Sequence, residues 1–311
     1  MMRDLLATWR QQANPLSRLA LARLPSTNVF AIRHNRFVVV MFQKILYWIF
    51  KLRNRLDVNG FEHVQQEIDK GGPFVIVPNH SGTADVAMQQ SILAHHDSIA
   101  FTFINGEGFI DREFPPIAAV LYFAEFIPRM GTGQQSIART VRRLIAGDRV
   151  IFFPEGTFDF GLVWRGYTGI ARIVHEYRQA TGNPLRIVPS CAIGMHEAYN
   201  PHVRHHVHLF RRRKHKHDRA AIAVWKKQRL KWLPAMAHVV RPGQQIKVKF
   251  GPAFTLDLPT NPNATDLEAA TDRIMHEVAS LWGQKHLRQN MTREWVKQSR
   301  PAIDGRRTWL G

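Results

Sequence analysis

The sequence predicts an α/β fold with a largely parallel central sheet flanked by helices, preceded by an N-terminal helical segment. Two observations predict this sheet. From residue 56 onward, short apolar runs alternate with amphipathic helical patterns, and this alternation is typical of parallel strands joined by helical crossovers. Glycine and proline separate the runs, as at Gly71 and Gly72, and such residues mark the ends of elements.

The predicted elements follow one another along the chain. Strands are expected at 56–61, 73–79, 98–103, 125–129, 149–157, 184–194 and 244–254, and helices at 62–72, 83–96, 115–124, 134–148, 169–182 and 265–283. The helix at 134–148 has the clearest amphipathic pattern. These elements form one domain over 56–285, between an N-terminal segment over 1–55 and a C-terminal tail over 286–311.

The most apolar stretch near the N-terminus is "FVVVMFQKILYWIF" at 37–50. It is too short to cross a bilayer, because a spanning helix needs about 20 apolar residues. Basic residues flank it, and Tyr47 and Trp48 are side chains that favour the headgroup region. The stretch predicts an amphipathic, membrane-associating helix, which we expect at the cytoplasmic face of a membrane. A helix packed on the rest of the domain is the alternative.

The net charge of +19, from 43 Lys and Arg against 24 Asp and Glu, favours an anionic partner. A membrane surface, a phosphorylated substrate and nucleic acid all fit the charge, but no helix-turn-helix pattern or set of stacking aromatics supports nucleic acid. The single cysteine, Cys191, excludes an intramolecular disulfide. It lies in the apolar run "RIVPSCAIG", which predicts a buried core thiol rather than a catalytic one.

Two of the predicted strands end in polar residues. The first, "FVIVPNHSGTAD", delivers His80 and, five residues later, Asp85. On a regular helix these side chains would point about 140° apart, so "HSGT" must form a turn, with Thr83 as the candidate N-cap and Asp85 in the first helical turn. Asp85 can then accept a hydrogen bond from His80, which leaves the other ring nitrogen to act as a base.

The second strand, "VIFFPEGT", ends in Pro154, Glu155, Gly156 and Thr157. Taken alone, this string is typical of a tight turn. In an open parallel sheet, however, active sites gather beyond the carboxyl ends of the strands. The two polar stretches are therefore expected to meet.

Together and in order, these segments resemble the motifs of the glycerolipid acyltransferases, the lysophosphatidic acid acyltransferase family. "NHSGTAD" is similar to the family's N-H-x4-D motif and "FFPEGT" to its F-P-E-G-T motif. "WRGYTGIARI" resembles the family's G-x-A segment, and "IVPSCAIG" its later strand motif. The resemblance covers residues 58–252.

The resemblance implies transfer of a fatty acyl chain from acyl-CoA or acyl-carrier protein to a hydroxyl of a lysophospholipid, with 1-acylglycerol-3-phosphate as the first choice. The thioester is a co-substrate, and neither a cofactor nor a metal is implied. His80 would be the general base and Asp85 its support, while Glu155, Gly156 and Thr157 would help to bind the acceptor. No covalent acyl-enzyme is implied, in agreement with the absence of a G-x-S-x-G sequence.

The family also carries an arginine that binds the acceptor phosphate, and two residues compete for this role. "GEGFIDR" ends at Arg112 and matches the family's lettering, whereas "FIPR" ends at Arg129 and precedes a glycine-bearing loop and a helix N-terminus. Because such a loop favours phosphate binding, we expect Arg129 to be the residue. The family often continues F-P-E-G-T with Arg-Ser, where this chain has Phe158 and Asp159. Arg165 is a candidate for the missing cation.

The run at 201–219 is rich in histidine and arginine, but its cations would repel a metal ion. It predicts a solvated basic loop, or a contact with anionic lipid, acyl-carrier protein or CoA phosphates. Two alternatives to the main interpretation stay open. One is an acyltransferase with a different lyso-lipid acceptor, and the other is a non-catalytic protein of this fold that binds anionic lipid or nucleic acid.

Overall fold

A sheet of seven strands lies between two layers of helices in the computed structural model, which describes residues 36–82, 84–105, 124–127, 133–156, 163–199 and 243–287. In chain order the described elements are α1 (Arg36–Asn54), β1 (Asp57–Asn59), α2 (Phe61–Asp69), β2 (Phe74–Pro78), α3 (Asp85–His95), β3 (Phe101–Asn105), β4 (Ala124–Ile127), α4 (Gly133–Ile145), β5 (Val150–Ile151), α5 (Gly169–Thr181), β6 (Arg186–Ile193), α6 (Met195–Tyr199), β7 (Lys247–Phe250) and α7 (Ala264–Trp282).

The strand order is β1-β7-β6-β2-β5-β3-β4. Strands β6, β2, β5, β3 and β4 run parallel to one another, and β1 runs parallel to β7. The one antiparallel pairing between described strands joins β6 to β7. The prediction of a largely parallel sheet flanked by helices is therefore confirmed. Since β2 pairs with β6 on one side and with β5 on the other, the carboxyl ends of these three strands lie at the same edge.

Both faces of β2 are buried, which explains its continuous apolar sequence. Phe74 and Ile76 pack in the core shared with α1, α2 and α3, whereas Val75 and Val77 pack in the core under α4, α5 and α7. All four side chains are fully buried. Burial of a side chain of this size stabilises the fold by about 1.5–3 kcal/mol, so β2 holds the two helical layers together.

The structure differs from the predicted elements at two places, and one predicted helix lies almost wholly outside the described residues. The strand expected over 149–157 ends at Ile151, and the chain turns at Pro154, because proline has no N–H to continue a strand ladder. The helix expected over 115–124 lies outside the described residues except at Ala124, which begins β4. The short helix α6 was not predicted, and its five residues are too few for a periodic pattern.

Helix α1 has two apolar faces. Its inner face buries Val39, Leu46 and Phe50 and packs on α3, as the alternative interpretation of this stretch requires. Its outer face exposes a second set of apolar side chains, namely Phe37, Met41, Ile45, Trp48, Ile49 and Leu52. Among the helices that the structure describes, none is sufficiently long and apolar to span a bilayer. The membrane-associating role and the boundary at residue 55 stay predictions.

We expect Gly60→Ala to destabilise the fold more than Gly71→Ala. Both glycines have positive φ, 75° and 69°, and alanine in this region costs about 1–2 kcal/mol. A Cβ at Gly60 would also lie 2.1 Å from the carbonyl oxygen of Phe250, whereas nothing lies within 4 Å of one at Gly71. Urea unfolding of the two variants measures the difference, and equal free energies of unfolding would contradict the close approach of the α2 N-terminus to β7.

Candidate active site

The two polar stretches predicted from the sequence meet at the carboxyl edge of the sheet. The parallel pairing of β2 with β5 continues as the Phe152 N–H donates to the carbonyl of Ile76 at 2.9 Å. Beyond it, the centroid of the His80 ring lies 4.6 Å from that of Phe153, and the His80 N–H donates to Glu155 Oε1 at 3.4 Å. The loop after β2 and the turn after β5 therefore form one site.

His80 and Asp85 form the hydrogen bond that the sequence predicts. His80 Nδ1 lies 2.9 Å from Asp85 Oδ2. The same oxygen accepts hydrogen bonds from the backbone N–H groups of Ser81, at 2.6 Å, and Gly82, at 2.8 Å. Because a carboxylate only accepts, Nδ1 carries the proton and Nε2 carries the lone pair of the neutral ring.

The two side chains of the pair differ in how far they are buried. The side chain of Asp85 is 1% exposed and that of His80 is 17% exposed. The carboxylate is thus shielded from water, while part of the ring is open to a substrate. Asp85 Oδ1 is buried and has no hydrogen-bond partner among the described residues, so the charge of this carboxylate acts mainly through Oδ2, on His80 and the two amides.

The loop that carries His80 is attached to β6. The side chain of Asn79 accepts from the backbone N–H of Ala192 at 2.7 Å and donates to its carbonyl at 3.2 Å. A Cβ at Gly82 would lie 2.9 Å from the carbonyl oxygen of Met195, so only glycine allows this approach. Helix α3 begins at Asp85 with Ala84 at the N-cap position, which replaces the expected N-cap. Thr83 lies outside the described residues.

Glu155 and Gly156 lie in the turn after β5. Glu155 is buried, with 5% of its surface exposed, and it faces the backbone of His80 as described above. Gly156 has a φ of 69°, and a Cβ there would lie 3.1 Å from Cε2 of Tyr167. The Gly156 N–H donates to the carbonyl of Phe153 at 3.3 Å. The turn is therefore tight and closed by an aromatic ring, and side chains larger than glycine are disfavoured at its tip.

The remaining sequence-predicted residues fall into two groups. Arg129, its competitor Arg112, Thr157 and the run at 201–219 lie outside the described residues. Arg165 is described, and it makes a two-bond ion pair with Asp272 of α7, with Nε to Oδ1 at 2.9 Å. This pair raises the pKa of Arg165 and gives its guanidinium a partner within the protein.

Cys191 is fully buried in β6, as predicted. Burial raises the pKa of its thiol, and nearby Glu155 adds to this effect. A thiol held protonated is a poor nucleophile. Within the part of the chain that the structure describes, no group of three histidine, cysteine or acidic residues is arranged to hold a metal ion.

Three residues near the site were missed by sequence reasoning. Asn79 was quoted only as part of a motif, and its side chain ties the His80 loop to β6. Asp272 and Gln284 lie more than 100 residues from the turn after β5 and contact the segment that follows it. Nothing local in the sequence marks Asp272 or Gln284, because both lie in or after an ordinary amphipathic helix.

Comparison with known proteins agrees with the site's chemistry. Residues 55–193 match the family model described as Acyltransferase. No curated protein matches the chain at a significant level. Among solved structures, the chain is similar to the 1-acyl-sn-glycerophosphate (LPA) acyltransferase PlsC from Thermotoga maritima, with 14% identity over 79% of each chain and a TM-score of 0.48. Likeness at that level carries no argument about function, which rests on the family match and the site itself.

Proposed function

We propose that this chain, whose residues 55–193 match the Acyltransferase family model, transfers a fatty acyl chain from an acyl thioester to a hydroxyl of a lysophospholipid. One observation carries the proposal: a histidine backed by a buried carboxylate lies beside the Pro154–Gly156 turn at the carboxyl edge of the sheet. The family match supports acyl transfer as the reaction class, and the pair supplies the base that such a reaction needs.

The proposed step uses His80 as a general base. Nε2 takes the proton of the acceptor hydroxyl as its oxygen attacks the thioester carbonyl, and Asp85 stabilises the imidazolium that forms. The tetrahedral intermediate then collapses, the C–S bond breaks, and the proton on His80 passes to the leaving thiolate. Acyl-CoA or acyl-carrier protein supplies the acyl group, and the proposed reaction includes no cofactor and no acyl-enzyme.

The proposed acceptor is 1-acylglycerol-3-phosphate, so that the product is phosphatidic acid. Glu155, Gly156 and Thr157 would contact the acceptor next to His80, and Arg129 would bind its phosphate. Phe158 stands where the family often has an arginine after this motif. Because a cation near the acceptor is then missing, other lyso-lipid acceptors remain the alternative. Basic residues at 201–219 would bind acyl-carrier protein or CoA phosphates.

The enzyme is proposed to act at a membrane surface. The exposed apolar side chains of the outer face of α1 recur every three or four residues from Phe37 to Leu52, so they share one side of the helix. Lys51, Arg53 and Arg55 are exposed next to them. Apolar contact with basic residues beside it suits a cytoplasmic, anionic bilayer surface, where a lysophospholipid acceptor would be bound.

An acceptor screen tests the proposal directly. Purified protein is incubated with isotopically labelled oleoyl-CoA and a panel of lyso-lipids, and products are identified by mass spectrometry. The expected product is labelled phosphatidic acid. Labelling of a different lyso-lipid would correct the acceptor, and binding of lipid with no transfer from oleoyl-CoA or oleoyl-acyl-carrier protein would favour the non-catalytic alternative.

We predict that His80→Ala lowers kcat by about 10²–10⁴-fold, the usual contribution of a general base. Asp85→Asn should lower it less, because the base remains and only the charge that supports it is lost. His276→Ala, at an exposed histidine of α7, is the control and should leave kcat unchanged. Steady-state rates are compared for variants with wild-type melting temperatures. Wild-type turnover by folded His80→Ala would refute the mechanism.

We predict that Arg129→Lys impairs the enzyme more than Arg112→Lys. A bidentate guanidinium–phosphate contact is not replaced by the single point charge of lysine. If the contact contributes about 1.5–3 kcal/mol, its loss lowers kcat/KM for the acceptor about ten-fold or more, while the KM of the donor changes little. The opposite ranking would assign the phosphate to Arg112, and insensitivity of both would indicate a neutral acceptor.

We predict that the protein binds anionic vesicles through the outer face of α1. Phe37→Asp and Leu52→Asp should weaken co-flotation with vesicles containing phosphatidylglycerol, and added salt should weaken it further. Ile145→Asp, at an apolar side chain of α4 that is also exposed, is the control. These point variants are preferable to deletion of residues 1–50, which would remove buried Val39, Leu46 and Phe50. Equal losses in all three variants would contradict the prediction.

A further inference from the structure

The segment 163–168 directly precedes helix α5, and it lies between the turn after β5 and helix α7. Gly166 is the closest point. A Cβ there would lie 2.7 Å from Cβ of Pro154 and 3.0 Å from Cγ2 of Thr271. Gly166 is thus held between the residue that precedes Glu155 and a buried side chain of α7. Helix α7 lies beyond residues 55–193, which match the family model.

The start of this segment is held by a single side-chain amide. Gln284, just after the end of α7, accepts from the backbone N–H of Val163 at 3.0 Å and donates to its carbonyl at 2.8 Å. The amide thus satisfies both backbone groups of Val163, as a neighbouring strand would. Val163 itself is fully buried among residues of α5 and α7.

A second attachment lies two residues further on. Arg165 donates through Nε and Nη2 to the two carboxylate oxygens of Asp272, a geometry that fixes the plane of the guanidinium. Both side chains are partly exposed, 40% for Arg165 and 30% for Asp272, and ion pairs this exposed add little to stability. The effect of the pair is on position more than on the free energy of unfolding.

The segment in turn holds the turn of the candidate site. The Tyr167 N–H donates to the carbonyl of Pro154 at 2.8 Å, and the Tyr167 ring covers Gly156. Between these two contacts lies Glu155, which accepts from the His80 N–H. A continuous chain of contacts therefore runs from α7 through the segment 163–167 to Glu155 and His80.

We propose that Asp272 and Gln284 are positioning residues of the active site, which hold the Pro154–Gly156 turn in place for the acceptor through Arg165 and Val163. Arg165 then serves the turn rather than the acceptor phosphate. The part of this inference that concerns the acceptor rests on the proposed function, whereas the part that concerns the turn does not.

The kinetic test is a double-mutant cycle on the ion pair. Oleoyl-CoA is kept at a saturating concentration, and the concentration of the acceptor is varied. The acceptor is 1-oleoylglycerol-3-phosphate or the one found by the screen. Arg165→Gln and Asp272→Asn should each lower kcat/KM for the acceptor about ten-fold, since small misplacements of binding groups have effects of this order or larger. The double variant should be no worse than either single variant, because both remove one interaction. The KM for oleoyl-CoA should stay at its wild-type value.

Asp257→Asn is the matched control, because Asp257 also pairs with an arginine, Arg178 of α5, but its side chain is 93% exposed. It should leave kcat/KM unchanged. A large loss in Arg165→Gln with a wild-type Asp272→Asn would overturn the proposal and place Arg165 on the acceptor. Equal behaviour of Asp272→Asn and Asp257→Asn would overturn it as well.

Hydrogen exchange tests the positioning of the turn without any substrate. Gln284→Leu and Asp272→Asn should raise amide exchange in peptides covering 152–156 and 163–167, while Gln179→Leu, which removes an exposed contact to the carbonyl of Thr260, should not. Unchanged exchange in the first two variants would refute the proposal. Raised exchange in a protein that transfers no acyl group would sustain it and refute the proposed function alone.

Discussion

The parallel pairing of β2 between β6 and β5 is the constraint on which the candidate site depends. It brings the loop after β2 and the turn after β5 to one edge, although 75 residues separate His80 from Glu155. It also supplies β6 as the support of the His80 loop through Asn79. Residues on both faces of β2 are buried, so a shift of this strand would disturb two cores at once. The relative position of the two loops is therefore set by the centre of the sheet.

The buried carboxylate of Asp85 imposes a second constraint. A buried charge is unfavourable unless hydrogen bonds compensate it, and here two backbone amides, the His80 ring and the N-terminus of α3 do so. The amides of Ser81 and Gly82 can reach the carboxylate only if the chain turns tightly before the helix. Glycine at position 82 permits that turn against the carbonyl of Met195. His80, Ser81 and Gly82 of "NHSGTAD" thus all serve to satisfy one buried acid.

Features that depend on residues close together along the chain could be predicted from the sequence, and contacts between distant segments could not. The fold class followed from alternating patterns, and the His80–Asp85 contact followed from the impossibility of a regular helix between the two residues. The end of β5 at Ile151 was predicted too late, because the run of apolar residues continues to Phe153. The contacts of Asp272 and Gln284 were missed as well, because they join segments 107 and 121 residues apart and no periodicity encodes such pairs. Arg165 was accordingly taken as a candidate for the cation missing near the acceptor, whereas it pairs with Asp272 of α7.

Helix α3 connects the His80–Asp85 pair with helix α1. Asp85 begins the helix and His95 ends it, a length of about 16 Å at 1.5 Å per residue. The His95 ring stacks on Tyr47 at 3.8 Å and meets Trp48 edge to face at 5.9 Å, and burial lowers the pKa of His95, which favours the neutral ring that stacks well. Because α1 also packs along α3 through its inner face, its exposed side chains have a fixed orientation relative to His80. Asp85 and the ring contacts of His95 with α1 thus lie at opposite ends of one short helix.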